Sequence, residues 1–182
     1  MEKPFKHVEE SQVVISELML PSHSNFNGKI HGGYILSLLD QIAFACASKH
    51  SGDYCVTASV DTVNFLRPIE IGELVTMKAS VNYVGNTSMV IGIRVEAENI
   101  QTGKKKHCNS SYITMVAKTK EGKSVKIPGL ILTNDHHVRR FLKSMKRIEM
   151  KKNRTEEYKE LQFSTEKYYE ELEGKRVQLK LK

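Results

Sequence analysis

The sequence has no tryptophan, only four prolines and three cysteines in 182 residues, and 7% aromatic residues. Cys46, Cys55 and Cys108 are odd in number and lack C-x-x-C spacing. That pattern argues against a zinc or dithiol site and leaves them as reduced structural thiols. No window approaches the roughly 18 apolar residues that a membrane span requires. The opening stretch MEKPFKHVEESQVV carries charges where a secretory leader has an apolar centre. A soluble, cytoplasmic protein is expected, in which the Asn-x-Ser/Thr triplets at Asn86, Asn109 and Asn153 have no route to glycosylation.

What is present suffices for one sizeable core. Hydrophobic residues make up 40% of the chain, and a single domain is the default at this length. The net charge of +7 is unevenly held: residues 135–182 contribute +5 and the first 134 residues +2. Basicity of this kind favours polyanionic partners in general without choosing one.

Along the chain, QVVISELMLP (12–21) reads as a strand ended by proline, followed by a polar loop. Beyond Gly32-Gly33, Ile35, Leu38, Leu39, Ile42 and Cys46 recur at helical spacing. Leu36, Ala43, Phe44 and Ala47 cover the other side, so the helix is expected to be buried nearly all round and to stop near Gly52. The period then changes to two. CVTASVDTVNFL, ELVTMKASVNYVG, TSMVIGIRVEAEN and HCNSSYITMVAKT are alternating, β-branched runs separated by turn residues. With no crossover helices between them, these strands should form an antiparallel sheet, and the apolar helix is the element available to cover it. The fold class is α+β. Residues 10–134 are expected as the domain and 135–182 as a basic helical extension. There Val138, Phe141, Leu142, Met145 and Ile148 form a narrow apolar stripe, and a second Glu/Lys/Tyr-rich run spans Thr155 to Glu173. His136 and His137 point about 100° apart on a helix and have no obvious third ligand, so both are read as exposed polar residues.

The residue that stands out is Asp40, a carboxylate among Leu36, Leu38, Leu39, Ala43 and Phe44. Either it is a structural group bonded to backbone or turned outward, or it is a general base or nucleophile. His31-Gly32-Gly33 lies at the helix start, where backbone N–H groups lack intrahelical acceptors and the helix dipole is positive. Donors there, with the side chains of Asn25 and His31, suit a carbonyl oxygen gaining negative charge; the glycines equally suit a tight turn. Gly32 and Asp40 are eight residues apart, about 12 Å along one helix. Both cannot reach one carbonyl, so either they serve different purposes or a second copy of the chain completes the site.

Taken together, NFNGKIHGGYILSLLD and VTASVDTVNFLRPIEIGE resemble the hotdog-fold acyl-CoA thioesterases over about residues 10–120. The resemblance implies an antiparallel sheet wrapped around a central helix, sites shared across a homodimer, and often a hexamer built as a trimer of dimers. It assigns Asn25 to orienting the carbonyl, Gly32 to backbone donation, Asp40 to the catalytic carboxylate and Thr57 to holding the attacking water. Thioester hydrolysis needs no metal or redox cofactor; coenzyme A is part of the substrate. Its phosphates would call for cations and polar donors, for which Arg67, the Asn86-Thr87-Ser88 turn and Lys104 are candidates. A role in lipid metabolism follows from the same resemblance. The alternative is a non-catalytic acyl-CoA sensor of the same fold. Nucleic-acid binding and membrane insertion by the tail are disfavoured by its nine acidic residues and its lack of alternating aromatic and basic residues.

Overall fold

The computed structural model describes residues 4–160, 172–178 and 180. Helix α1 (Gly32–Ser51) is its organising element. His31 caps its start, its Nδ1 accepting the Gly33 N–H at 3.0 Å. Gly52 ends it in the left-handed region, at φ 81°. Ile35, Leu38, Leu39, Ile42, Ala43, Cys46 and Ala47 are buried, so the apolar face predicted from the spacing does form the core contact. The helix is not covered all round, however. Leu36 and Phe44, expected inside, are 40% and 39% exposed and flank exposed Asp40 at intervals of four. One ridge of α1 therefore stays open in the single chain.

The sheet that α1 packs against has the order β2 (Val13–Leu18), β4 (Glu73–Val84), β5 (Ser88–Asn99), β6 (Lys104–Lys118), β3 (Tyr54–Val60), with all neighbours antiparallel. Alternation places Val75, Met77, Ala79 and Val81 of β4, Ile91, Ile93 and Val95 of β5, and Ile113, Met115 and Ala117 of β6 against the helix. The result is the expected hotdog architecture. β3 lies at one edge and carries a bulge between Thr57 and Ser59. Its alternating sequence predicted a strand to Leu66, but the ladder stops at Val60. Beyond it, buried Asn109 donates through Nδ2 to the Asn64 carbonyl at 2.9 Å, and the Leu66 N–H bonds to the Cys108 carbonyl. Those bonds draw the chain across the start of α1. The three cysteines are buried and free, and burial pushes the Cys46 thiol up to about 12.

Two short strands escaped the sequence pattern. β1 (Phe5–His7) and β7 (Gly129–Ile131) pair in parallel next to the far end of α1. Lys6 Nζ donates to the carbonyls of His50 at 2.7 Å and Lys49 at 3.3 Å, placing a cation where the helix dipole is negative. Helix α2 (Asp135–Glu160) begins against the outer face of the sheet, with Phe141 5.1 Å from Tyr83. Its buried positions are His137 and Ser144, with Phe141 half-buried between them. Val138 and Leu142, members of the predicted stripe, are exposed. His137 is thus not the exposed residue expected; Thr133, Asn134 and Glu9 surround it. The chain divides into compact units after Ser144. Of the second predicted helical run, Thr155–Glu160 continues α2, and most of the remainder lies outside the described residues. No helix among the described residues is long and apolar enough to cross a membrane.

His50, fully buried near the end of α1, ties the helix to the segment that leads into β7: its Nε2 lies 3.0 Å from the Pro128 carbonyl, while Nδ1 has no partner among the described residues. A neutral ring donating from Nε2 satisfies this setting, and a second proton would place charge on a nitrogen with nothing to accept its hydrogen. Burial is the main reason its pKa falls below the ordinary 6.5; the Pro128 carbonyl opposes this, nearby Lys6 adds to it, and Glu10 opposes it. Above pH 6.5 neither the folded nor the unfolded chain protonates this ring, and its full contribution is present. As the pH falls, the unfolded chain takes the proton first, so stability is lost until the folded pKa is passed. Thermal unfolding followed from pH 8 to 5 should show the midpoint dropping less steeply for His50→Gln than for the wild type. Parallel curves would contradict this role.

Candidate functional site

The sequence-predicted residues fall into two groups separated along α1. The first is built around Asp40. Thr57 on β3 faces it because the helix ridge and the edge strand run side by side, and the bulge after Thr57 alters the local twist there. Thr57 Oγ1 donates to Asp40 Oδ1 at 2.5 Å and lies 3.3 Å from Met115 Sδ. One carboxylate oxygen is thereby oriented, and Oδ2 has no donor among the described residues. An open cleft of about 520 Å³ runs past this pair between α1 and β3, floored by Met115 and walled by Phe44 and Tyr54. The two rings meet edge to face at 5.6 Å. A carboxylate held on one oxygen by a hydroxyl, with the other open to water, suits a base or a nucleophile.

The second group lies at the first turn of α1. Asn25 Oδ1 accepts the N–H groups of Asn27 at 2.9 Å and Lys29 at 3.2 Å. Because the oxygen is engaged by its own loop, the side-chain NH2 is the end left to donate outward. The loop is fixed by the Lys29–Glu70 ion pair at 2.6 Å and by the Ile30 N–H bonded to the Ile69 carbonyl. His31 accepts through Nδ1, so in the neutral ring Nε2 carries the proton and is a second outward donor. The Gly33 N–H is occupied by that cap. Gly32 N–H has no acceptor among the described residues and is the backbone donor that remains. The start of α1 therefore presents Asn25 Nδ2, His31 Nε2 and the Gly32 N–H as outward donors, while Asp40, two turns further on, has the Thr57 hydroxyl as its donor among the described residues.

Phe65 belongs to this second group and gave no signal in the sequence. Its neighbours Asn64 and Leu66 are pinned to β6, and its ring lies 3.4 Å from where a Gly32 Cβ would be. The ring is half exposed and forms an apolar wall beside the donors. Nearby, Tyr34 donates to Glu17 and stacks on His23 at 4.0 Å, and the His23 carbonyl accepts the His31 N–H at 2.8 Å.

The residues considered for phosphates do not form one cluster in the chain. Asn86, Thr87 and Ser88 form the turn at one end of β5, held by Ile127 N–H on the Asn86 carbonyl and Ala117 N–H on the Thr87 carbonyl. Lys104 pairs with Asn99 at the other end, on the order of 35 Å away for a strand of this length. Arg67 is exposed and follows Leu66, which bonds to Cys108 of β6, so it lies toward the Lys104 end. Lys105 and Lys106 are paired with Glu98 and Glu73, whereas Lys104 has no ionic partner among the described residues.

Known proteins resemble this chain in sequence and in fold. The sequence profile of the thioesterase superfamily matches residues 27–104. An uncharacterized acyl-CoA thioester hydrolase, YkhA of Bacillus subtilis, is 32% identical over 155 residues, 85% of this chain and 90% of that protein. An apo-hexameric acyl-CoA thioesterase superposes with a TM-score of 0.81 at 32% identity, covering 83% of this chain and 97% of its own. The acyl-CoA hydrolase of Staphylococcus aureus, crystallised with butyryl coenzyme A, coenzyme A and coenzyme A disulfide, gives 0.79 at 32% identity, covering 86% and 95%. That hydrolase has also been crystallised with an asparagine, an aspartate and a threonine each replaced by alanine. Those three positions are 15 and 17 residues apart, the intervals that separate Asn25, Asp40 and Thr57 here.

The helix cap gives a local test of the second group. A Cβ at Gly33 would lie 2.7 Å and 2.9 Å from Cε1 and Nδ1 of His31, so Gly33→Ala must expel the imidazole from the helix start. Loss of a side-chain cap costs about 1 kcal/mol. Urea unfolding should show Gly33→Ala destabilised by about that amount, and Gly33→Ala/His31→Ala no worse than Gly33→Ala alone. Additive losses would show that the two residues act independently.

Proposed function

Because this chain belongs to the thioesterase superfamily, with acyl-CoA thioester hydrolases among its relatives, we propose that it hydrolyses acyl-CoA to a carboxylic acid and coenzyme A through a site shared by two copies. The observation that carries the reading is the Thr57–Asp40 hydrogen bond in an open cleft, together with donors at the other end of the exposed helix ridge that no carboxylate of the same chain attends.

In this reading the thioester carbonyl of the substrate rests on Asn25 Nδ2, the Gly32 N–H and His31 Nε2 of one protomer. Asp40 and Thr57 of the other approach the carbonyl carbon. As water, activated by Asp40, or the Asp40 carboxylate itself adds to that carbon, the carbonyl oxygen gains charge and the donors stabilise it. Collapse of the tetrahedral intermediate expels the coenzyme A thiolate: in the water route it takes up the proton that Asp40 removed, and in the direct route water then hydrolyses the acyl-Asp40 anhydride to free the acid and restore the carboxylate. Thr57 fixes which Asp40 oxygen is turned to the reaction. No cofactor beyond the substrate's own coenzyme A is required.

The shared site requires a homodimer as the smallest active unit, and the surface of the chain supports one. β3 is an edge strand, and Leu36, Phe44, Tyr54 and Val60 are exposed apolar residues on α1 and β3. A second copy aligned along β3 would cover both. Assembly as a trimer of dimers is proposed by likeness to the hexameric relative. Arg67 and Lys104 at one end of the sheet and Asn86, Thr87 and Ser88 at the other would meet the phosphates of coenzyme A from different protomers. A cytoplasmic place in lipid metabolism completes the proposal.

Steady-state hydrolysis of an acyl-CoA chain-length series tests it. Asp40→Asn should lower kcat by about 100- to 10,000-fold. Thr57→Val, losing one hydrogen bond to a charged group, should lower it about 10- to 100-fold with KM little changed. Unchanged turnover in Asp40→Asn would refute the catalytic assignment. Absence of turnover with every thioester in the wild type would favour a non-catalytic acyl-CoA sensor.

A further inference from the structure

The outer face of the sheet, away from α1, should carry side chains in water, yet Ser80 and Asn82 on that face are only 7% and 6% exposed. The cross-strand register explains the space around them. Ser80 of β4, Gly92 of β5 and Tyr112 of β6 stand on one rung, and Lys78, Arg94 and Ser110 on the next. Gly92 has no side chain, so a gap opens between Ser80 and Tyr112. The Asn82 carboxamide leans over it, with Nδ2 at 2.1 Å and Cγ at 2.9 Å from where a Gly92 Cβ would lie. Arg140 from the first turns of α2 reaches over the same gap, its Nη1 3.5 Å from Ser80 Oγ. These residues bound a cavity of about 360 Å³, within the range that small-molecule sites occupy.

The polar atoms of this cavity are arranged in one sense. Ser80 Oγ donates to Asn82 Oδ1 at 3.1 Å, so the carboxamide oxygen is engaged and its NH2 is the end that remains. No acceptor for that NH2 is present among the described residues, although the residue is more than nine-tenths buried. Three cations, Lys78, Arg94 and Arg140, line the cavity and no carboxylate does. Lys78 and Arg94 are each held by Glu96 at 2.9 Å, both on the surface. Surface pairs of this kind are worth little and exchange readily for a better acceptor.

We propose that this cavity is a second binding site, for a polyanion carrying a diphosphate group. Three cations match two or more negative charges, more than a single carboxylate group supplies. Arg140 and Arg94 present planar donors suited to phosphate oxygens, and Asn82 Nδ2 supplies a donor at the floor. The same diphosphate occurs in a free nucleotide and in the nucleotide end of coenzyme A; the assignment to the latter alone rests on the function proposed above, and it would replace Arg67, Lys104, Asn86, Thr87 and Ser88 as the place where those phosphates sit.

Calorimetric titration of the full chain with ADP in low-salt buffer tests the site. The wild type should bind saturably, and Arg140→Ala and Asn82→Leu should each weaken binding at least tenfold while unfolding cooperatively at temperatures that show an intact fold. Arg140 is exposed, so at least one variant keeps the fold. Displacement of ADP by coenzyme A would assign the site to the nucleotide end of the substrate. Binding that persists under saturating coenzyme A would assign it to free nucleotide. No saturable binding by the wild type, or equal affinity in the folded variants, would overturn the proposal.

Discussion

A rigid helix holds the chemistry of this protein apart. Gly32 and Asp40 share α1 with no break between them, so the first-turn donors and the carboxylate keep the roughly 12 Å that eight helical residues impose. The helix cannot bend to close that gap, since its inner face is locked into the core by seven buried apolar residues and its far end is held by Lys6 and His50. The packing that stabilises the fold also keeps the first-turn donors and Asp40 from meeting within one chain. The exposed ridge of Leu36, Asp40 and Phe44 meets the requirement of the proposed shared site, in which Asp40 has to face outward.

Around that helix, the loops act as supports for donors. Asn25 turns its NH2 outward because its oxygen is engaged by Asn27 and Lys29, and His31 presents Nε2 because Nδ1 caps the helix. The crossover after β3 is drawn over the helix start by Asn109, a buried amide whose Nδ2 holds the Asn64 carbonyl while its Oδ1 accepts the Ser111 hydroxyl. Each donor is thus oriented before any substrate arrives, which is the condition for stabilising charge without reorganisation. The outer face of the sheet, where Gly92 leaves a gap under Arg140, is a separate place where the same sheet spacing offers donors to an anion.

Much of this was legible in the residues. The 3.6 and 2.0 periods gave α1, β4 and β5 nearly to the residue, because these elements have one face fully buried and the pattern reports burial. β1 and β7 were not legible, as three residues are too few to show a period. β3 was read too long because VDTVNFL keeps alternating, whereas its backbone is claimed by Asn109 and Cys108, contacts far away in sequence. On α2 the apolar stripe misled: the sheet accepts Phe141 flanked by His137 and Ser144, and the greasier Val138 and Leu142 stay outside. The isolation of Asp40 from Gly32 was legible from helix rise alone. Its pairing with Thr57 depends on the register of a helix against a strand, which no local pattern encodes; the family resemblance marked Thr57 only as holding the attacking water, and the hydrogen bond to Asp40 is seen in the structure alone. The separation of Lys104 from Asn86 follows from the length of β5 and needs the strand's actual bounds.

The central claim is that each site takes its carboxylate from one chain and its carbonyl donors from another. Subunit mixing measures this most directly. Asp40→Asn and Asn25→Ala proteins, each inactive alone, are combined under conditions in which exchange of labelled subunits is verified, and acyl-CoA hydrolysis is recorded. A shared site predicts that activity returns to about a quarter of the wild-type level, because half of the chains then sit in mixed dimers and each of these holds one intact site of two. Activity that stays at the level of the single variants despite proven exchange would contradict it.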